Sequence, residues 1–277
     1  MFFLLTYAFT WVSWIAAWKI SGSGASGYPG TTAGTLIFYL GVFAPSFVAL
    51  WLTSRREGSA GVRALLSRLV QWRVGFQWYV FAISYSAVIR LTAALIHRLA
   101  TGAWPPFGQE PLHLMLAATI GSTLLFGQAG EEIGWRGYLL PRLSARVGLA
   151  TASIVIGIVW AAWHLPLFFI PGIETTGQSF TLYLLQVTAF SVAIAWLYVH
   201  TNGSLFLTML MHSAINNTKD VVPSVARIPA NPFTINASLM GWLTAALLWI
   251  SAAYFLVRMR EGLQLSVERS SRTCRAS

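Results

Sequence analysis

Charged residues are scarce in this chain: Asp, Glu, Lys and Arg make up 9% of its 277 residues, against about 25% in a soluble domain. Together with 56% hydrophobic residues, that deficit excludes an ordinary soluble fold. Cysteine is nearly missing, and the lone Cys274 excludes an internal disulfide. Aspartate occurs once, at Asp220, so no aspartyl dyad can form within the chain. There is no HExxH helix motif, and the serine of "NGSLF" has no GxSG setting. The opening stretch "MFFLLTYAFTWVSWIAAWKI" lacks a basic n-region and a small-residue cleavage site. It reads as a first span rather than a removable signal. No internal repeat is visible, which weighs against the two-fold architecture of many secondary transporters.

What the chain does have is long apolar runs. About 20 apolar residues suffice to cross a bilayer, and such segments fall at about 2–20, 34–53, 76–98, 113–135, 150–170, 180–200, 204–217 and 238–258. They are too long and too unalternating for barrel strands, which leaves helix as the spanning structure. The expectation is an all-α polytopic membrane protein, about eight transmembrane helices around an intramembrane cavity, forming one domain over residues 1–277. "SGSGASGYPGTTAG" reads as a flexible loop and "PANPF" as part of the last long one. "SRREGSAGVRALLSRLVQWRVG" is basic and amphipathic, and is expected to lie along the membrane surface.

The formal charge of +10 invites a nucleic-acid partner, but the basic residues sit in loops and tails between apolar runs. There the orientation rule for membrane proteins accounts for them, and no nucleic acid is expected. Thirteen arginines fall on the side that holds both termini, against Lys19, Arg98, Lys219 and Arg227 on the other. Both termini are therefore expected in the cytoplasm, with residues 259–277 as a basic tail. The expected location is a bacterial or archaeal cell membrane.

An ionisable side chain inside a span costs several kcal/mol by most estimates, so each is a functional candidate. The candidates are Arg90, Glu131, Glu132, Arg136, His164 and His212, with Asn216 beside the last. Taken singly, each has a bland reading: a snorkelling arginine, a satisfied interior histidine, an ion pair closing a span. Their spacing says more. His212 and Asn216 share a helix face at i, i+4, as do Trp160 and His164. Glu132 is in register with Arg136, whereas Glu131, about 100° round the helix, has no cation four residues either side. Glu132 with Arg136 and Trp160 are then supporting groups, and Glu131 is the carboxylate free to act. If the Glu-bearing helix turns near residues 147–148, Glu131 lies about 16 residues before the turn and His164 about 16 after it. On antiparallel helices the two sit at similar height.

Such a set suits activation of water: Glu131 as base, His164 holding the water, His212 and Asn216 as donors to an oxyanion. The reaction class is amide hydrolysis inside a membrane, with no cofactor required. Glu131, His164 and His212 are also three ligands of the right types for catalytic zinc, and that alternative stays open here. A proton-coupled transporter and a non-catalytic membrane immunity protein are the non-enzyme alternatives.

These residues carry a resemblance. "EEIGWRGYLL" resembles the EExxxR motif of the CAAX-protease and bacteriocin-processing family (CPBP, or Abi) of intramembrane proteases. "WAAWHLPLF" is similar to its second motif, an aromatic followed four residues later by histidine, with Trp160 where phenylalanine is common. "HSAIN" matches its HxxxN motif at His212 and Asn216. The likeness spans about residues 120–220. It implies an all-helical fold, water activation by Glu131 and His164, transition-state support from His212 and Asn216, and a peptide or lipidated protein as substrate beside membrane lipid. The chain's own ending, "CRAS", fits C-a-a-X only superficially, because arginine is a poor first "a".

Overall fold

The computed structural model describes residues 1–21, 31–125, 128–171, 173, 175, 177–219, 221–223, 231–235 and 237–275, with side chains to residue 261. Residues 22–30 of the expected loop, Asp220, Arg227 and the Cys274 side chain lie outside what is described, while the ends of that loop, Ser21 and Thr32 to Gly34, are helical. All regular structure among the described residues is helical. The helices are α1 (Phe2–Ser21), α2 (Thr32–Val42), α3 (Ala44–Ser67), α4 (Phe76–Thr101), α5 (Leu112–Leu124), α6 (Ala129–Glu132), α7 (Leu140–Val147), α8 (Leu149–Trp163), α9 (Phe180–His200), α10 (Leu205–Thr218) and α11 (Leu239–Arg275).

Local sequence sets many of the ends. Thr31, Ser179 and Ser204 cap α2, α9 and α10 by accepting from Gly34, Leu182 and Leu207 N–H groups. The α7–α8 turn is made at Gly148, whose φ of +79° suits a residue without Cβ.

Among the described residues each of the eight expected spans is built of helix, two of them as bent pairs, and their lengths differ from the expectation. Four helices are long and apolar enough to cross a bilayer: α1, α4, α9 and the Leu239–Glu261 part of α11. Two bent pairs bring the number to six: α2 with the segment from Ala44 (50°), and α5 with the rod from Ala129 to Val147 (46°). The remaining two, α8 and α10, have 15 and 14 residues. At 1.5 Å per residue they fall short of an apolar layer about 30 Å thick. α10 is buried along most of its length, and α8 is buried on the side that meets α9 and α1.

Packing explains that difference. Gly157 of α8 lies so close to α9 that a Cβ there would meet the Thr188 Cα at 2.6 Å, and Ser191 donates to the Ser153 carbonyl at 2.9 Å. Contacts 157–188 and 153–191 make α8 and α9 antiparallel. On its other side α8 meets α1, where Trp11 donates to the Trp163 carbonyl (3.0 Å) and Trp163 to the Thr10 hydroxyl (2.8 Å). Central α9 is buried nearly all round, while α1, α4 and α11 turn Leu4, Val12, Val80, Val88, Ile250 and Val257 outward, as lipid-facing surfaces do.

The arginine-rich segments meet at one end of the molecule. Arg68 bonds the Tyr198 hydroxyl, Gln71 donates to the Thr201 carbonyl (3.2 Å), Glu57 pairs with Arg142, and Arg56 reaches the Tyr138 hydroxyl (3.3 Å). The Phe2 ring stacks on Tyr138 at 5.3 Å, bringing the N-terminus to the same end.

Candidate active site

The rod that carries both glutamates is not one regular helix. Residues Ile133–Leu139, between α6 and α7, form a π-helix. Three local features fit that change. Pro141 has no N–H to continue the α-helical ladder. Gly134 lets the rod touch Pro45, whose atoms would stand 2.6 Å from an added Cβ, and Gly137 does the same for Leu65 at 2.7 Å. The Ser46 hydroxyl then sits between the Ala129 and Gly130 carbonyls, at 2.5 and 2.9 Å. Wide turns of this kind occur often at functional sites.

The two glutamates have different surroundings. Glu132 is fully buried, and its Oε1 takes the Arg136 guanidinium at 2.8 Å and His212 Nδ1 at 2.9 Å. Thr208, one turn before His212 on α10, also lies against this carboxylate. Glu131 is half-buried and accepts one hydrogen bond, from Trp160 Nε1 to its Oε2 at 2.5 Å. It stands within electrostatic reach of Arg136 and His164.

Trp160 does more than flank an imidazole. Its indole holds Glu131, its face lies under the Arg136 guanidinium (4.3 Å to the ring centroid), and its edge meets the His212 ring at 5.1 Å. Its backbone carbonyl lies 2.8 Å from His164 Nδ1. A carbonyl only accepts, so His164 carries its proton on Nδ1 and leaves the Nε2 lone pair free. Trp163 (4.6 Å) and Tyr183 (5.6 Å) wall this imidazole at the end of α8.

The expected set is thus largely brought together, with one link that spacing did not show. His212 is tied through Nδ1 to the Glu132–Arg136 pair. Sequence gave a faint signal for it: Thr208, His212 and Asn216 repeat at i, i+4 along one face of α10. Asn216 is exposed, whereas its neighbour Asn217 turns back to donate to the Ser213 carbonyl at 2.8 Å. Of the two asparagines, Asn216 therefore has its amide available. Arg90 is buried on α4 near Ser86, Ala93 and Ala94.

The same residues bear on the zinc alternative. Among the described residues, no group of three or more His, Cys, Asp or Glu side chains is arranged to hold a metal ion.

Residues 113–218 match a family model described as type II CAAX prenyl endopeptidase Rce1-like. Over 237 residues the chain is 25% identical to CAAX prenyl protease 2 of Methanococcus maripaludis, a match covering 80% of this chain and 84% of the relative.

Proposed function

We propose that the chain is an intramembrane protease of the CAAX-protease and bacteriocin-processing family, and that it hydrolyses its substrate with water activated by Glu131 and His164, without a metal. The observation that carries this reading is the indole bond to Glu131 Oε2, which fixes the carboxylate while leaving its other oxygen unclaimed. Glu131 takes a proton from a water that His164 Nε2 also holds, and the oxygen attacks the carbonyl carbon. The resulting oxyanion is met by the amide of Asn216 and by the Nε2–H of a His212 protonated on both nitrogens, its Nδ1–H held by Glu132. As the C–N bond breaks, the proton on Glu131 passes to the leaving amine. Arg136 and Glu132 position His212 and take no part in bond making.

The substrate class we infer is a prenylated or otherwise lipidated peptide cleaved beside the membrane. It follows the name of the archaeal relative and the apolar outer faces of α1, α4 and α11. By charge, the arginine-rich end faces the cytoplasm.

The test is turnover of a farnesylated peptide by purified full-length protein in nanodiscs. Glu131→Gln keeps the shape and removes the base, and is expected to abolish cleavage while the protein stays folded. Near-normal turnover would overturn the assignment. Exhaustive chelation is expected to leave wild-type turnover intact; loss with chelator and recovery with zinc would overturn the metal-free step alone.

A further inference from the structure

The basic segment between α3 and α4 has no part in the chemistry above, yet it is held firmly in place. Gly58 breaks α3 with a φ of +65°. Beyond it, Leu65 packs on the rod at Gly137, Arg68 bonds Tyr198, and the Gln71 carbonyl accepts from Ser204 at 2.6 Å. With those residues turned inward, the others face out: Arg63, Leu66, Val70, Trp72, Arg73 and Phe76 are exposed. The Arg73 guanidinium lies over the Trp72 ring at 5.3 Å.

Charge on this surface has one sign. Glu57 is the only acidic residue before Glu110, and Arg142 takes it. Exposed arginines alternating with exposed apolar side chains, next to the start of a membrane helix at Phe76, suit the layer where lipid headgroups meet acyl chains. An acidic protein or a nucleic acid would leave Val70, Trp72 and Phe76 against water; a lipid covers both kinds of group. We propose that residues 59–76 form a docking surface for anionic phospholipid headgroups. The apolar side chains enter the acyl boundary, and Arg63 and Arg73 contact the phosphate groups.

Native mass spectrometry of the full-length protein, titrated with phosphatidylglycerol or phosphatidylcholine, tests this. Each arginine near an anionic surface strengthens binding about fivefold. The pair Arg63→Gln with Arg73→Gln is therefore expected to weaken phosphatidylglycerol binding about 25-fold and leave phosphatidylcholine unaffected. A control pair, Arg146→Gln with Arg260→Gln, removes the same charge from exposed positions at the same end and should leave affinity essentially unchanged. Equal weakening by both pairs would mean that net charge alone attracts lipid, and would overturn the proposal. So would a parent protein that binds the two lipids equally, or a first pair without effect. None of these side chains belongs to the proposed catalytic set, so failure here leaves the protease mechanism standing.

Discussion

Replacing Arg136 by methionine would remove a buried cation while keeping most of the side chain's apolar stem. Arg136 and Glu132 are 1% and 0% exposed and 2.8 Å apart, so neither reaches water. Breaking a buried pair from one side typically costs about 3–5 kcal/mol, because the remaining charge stays in a low-dielectric site. Two details of the site set the value within that range. The lost guanidinium also stacked on Trp160, which adds to the cost. Against that, Glu132 keeps the hydrogen bond from His212 Nδ1 at 2.9 Å, which still balances part of its charge. The second effect is the larger, so about 3 kcal/mol is expected, a fall of roughly 6 °C or more in Tm on the scale of large domains. Thermal melting in detergent, followed by tryptophan fluorescence, measures it. The double variant Arg136→Met, Glu132→Gln removes both charges and should melt above the single variant. A single variant that melts like wild type, or a double variant less stable than the single, would refute the idea of a charge stranded in a dry site.

Other outcomes follow from particular contacts. Asn216→Ala should lower kcat by about 10²–10³ with little change in KM. Asn217→Ala, whose amide is used within α10, should keep turnover, and equal losses would show the wrong asparagine has been chosen. Gly157→Ala puts a methyl group 2.6 Å from the Thr188 Cα, so α8 and α9 must separate at a cost of about 1–3 kcal/mol; an unchanged melting curve would contradict their close approach.

How much of this was legible depends on how far apart the interacting residues lie. Helix over the eight apolar segments follows from local composition, and all eight are built of helix among the described residues, two of them as bent pairs. Which of them cross the membrane does not, because α8 and α10 are short and their packing on α1, α4 and α9 joins residues far apart in sequence. The Glu132–Arg136 pair was readable from its spacing of four, even though the residues between them form a wide turn. That turn answers to Pro45, Leu65 and Pro141, and only Pro141 is its neighbour in sequence. The hairpin estimate paired Glu131 with His164; the turn does come at Gly148, and the residue that bonds Glu131 is Trp160, one turn earlier. An indole N–H as the partner of a carboxylate 29 residues away leaves no periodic trace.

His212 is where spacing and structure part most, and its two nitrogens can be tested separately. Sequence placed it with Asn216 at an oxyanion; in the fold its Nδ1 is committed to Glu132, so only Nε2 can face a substrate. Asparagine places its amide nitrogen near where Nδ1 lies, and glutamine reaches to the position of Nε2. His212→Asn should therefore keep the donor to Glu132, hold Tm near wild type, and lower kcat by about 10²–10³ for want of the outer nitrogen. His212→Gln should do the reverse. It leaves the Glu132 carboxylate with one donor fewer, at about 1–3 kcal/mol for a buried acceptor, yet retains part of the turnover. Melting curves and kcat on the two purified variants decide it. If asparagine and glutamine give the same Tm and the same rate, His212 is not divided between a carboxylate on one side and a substrate on the other.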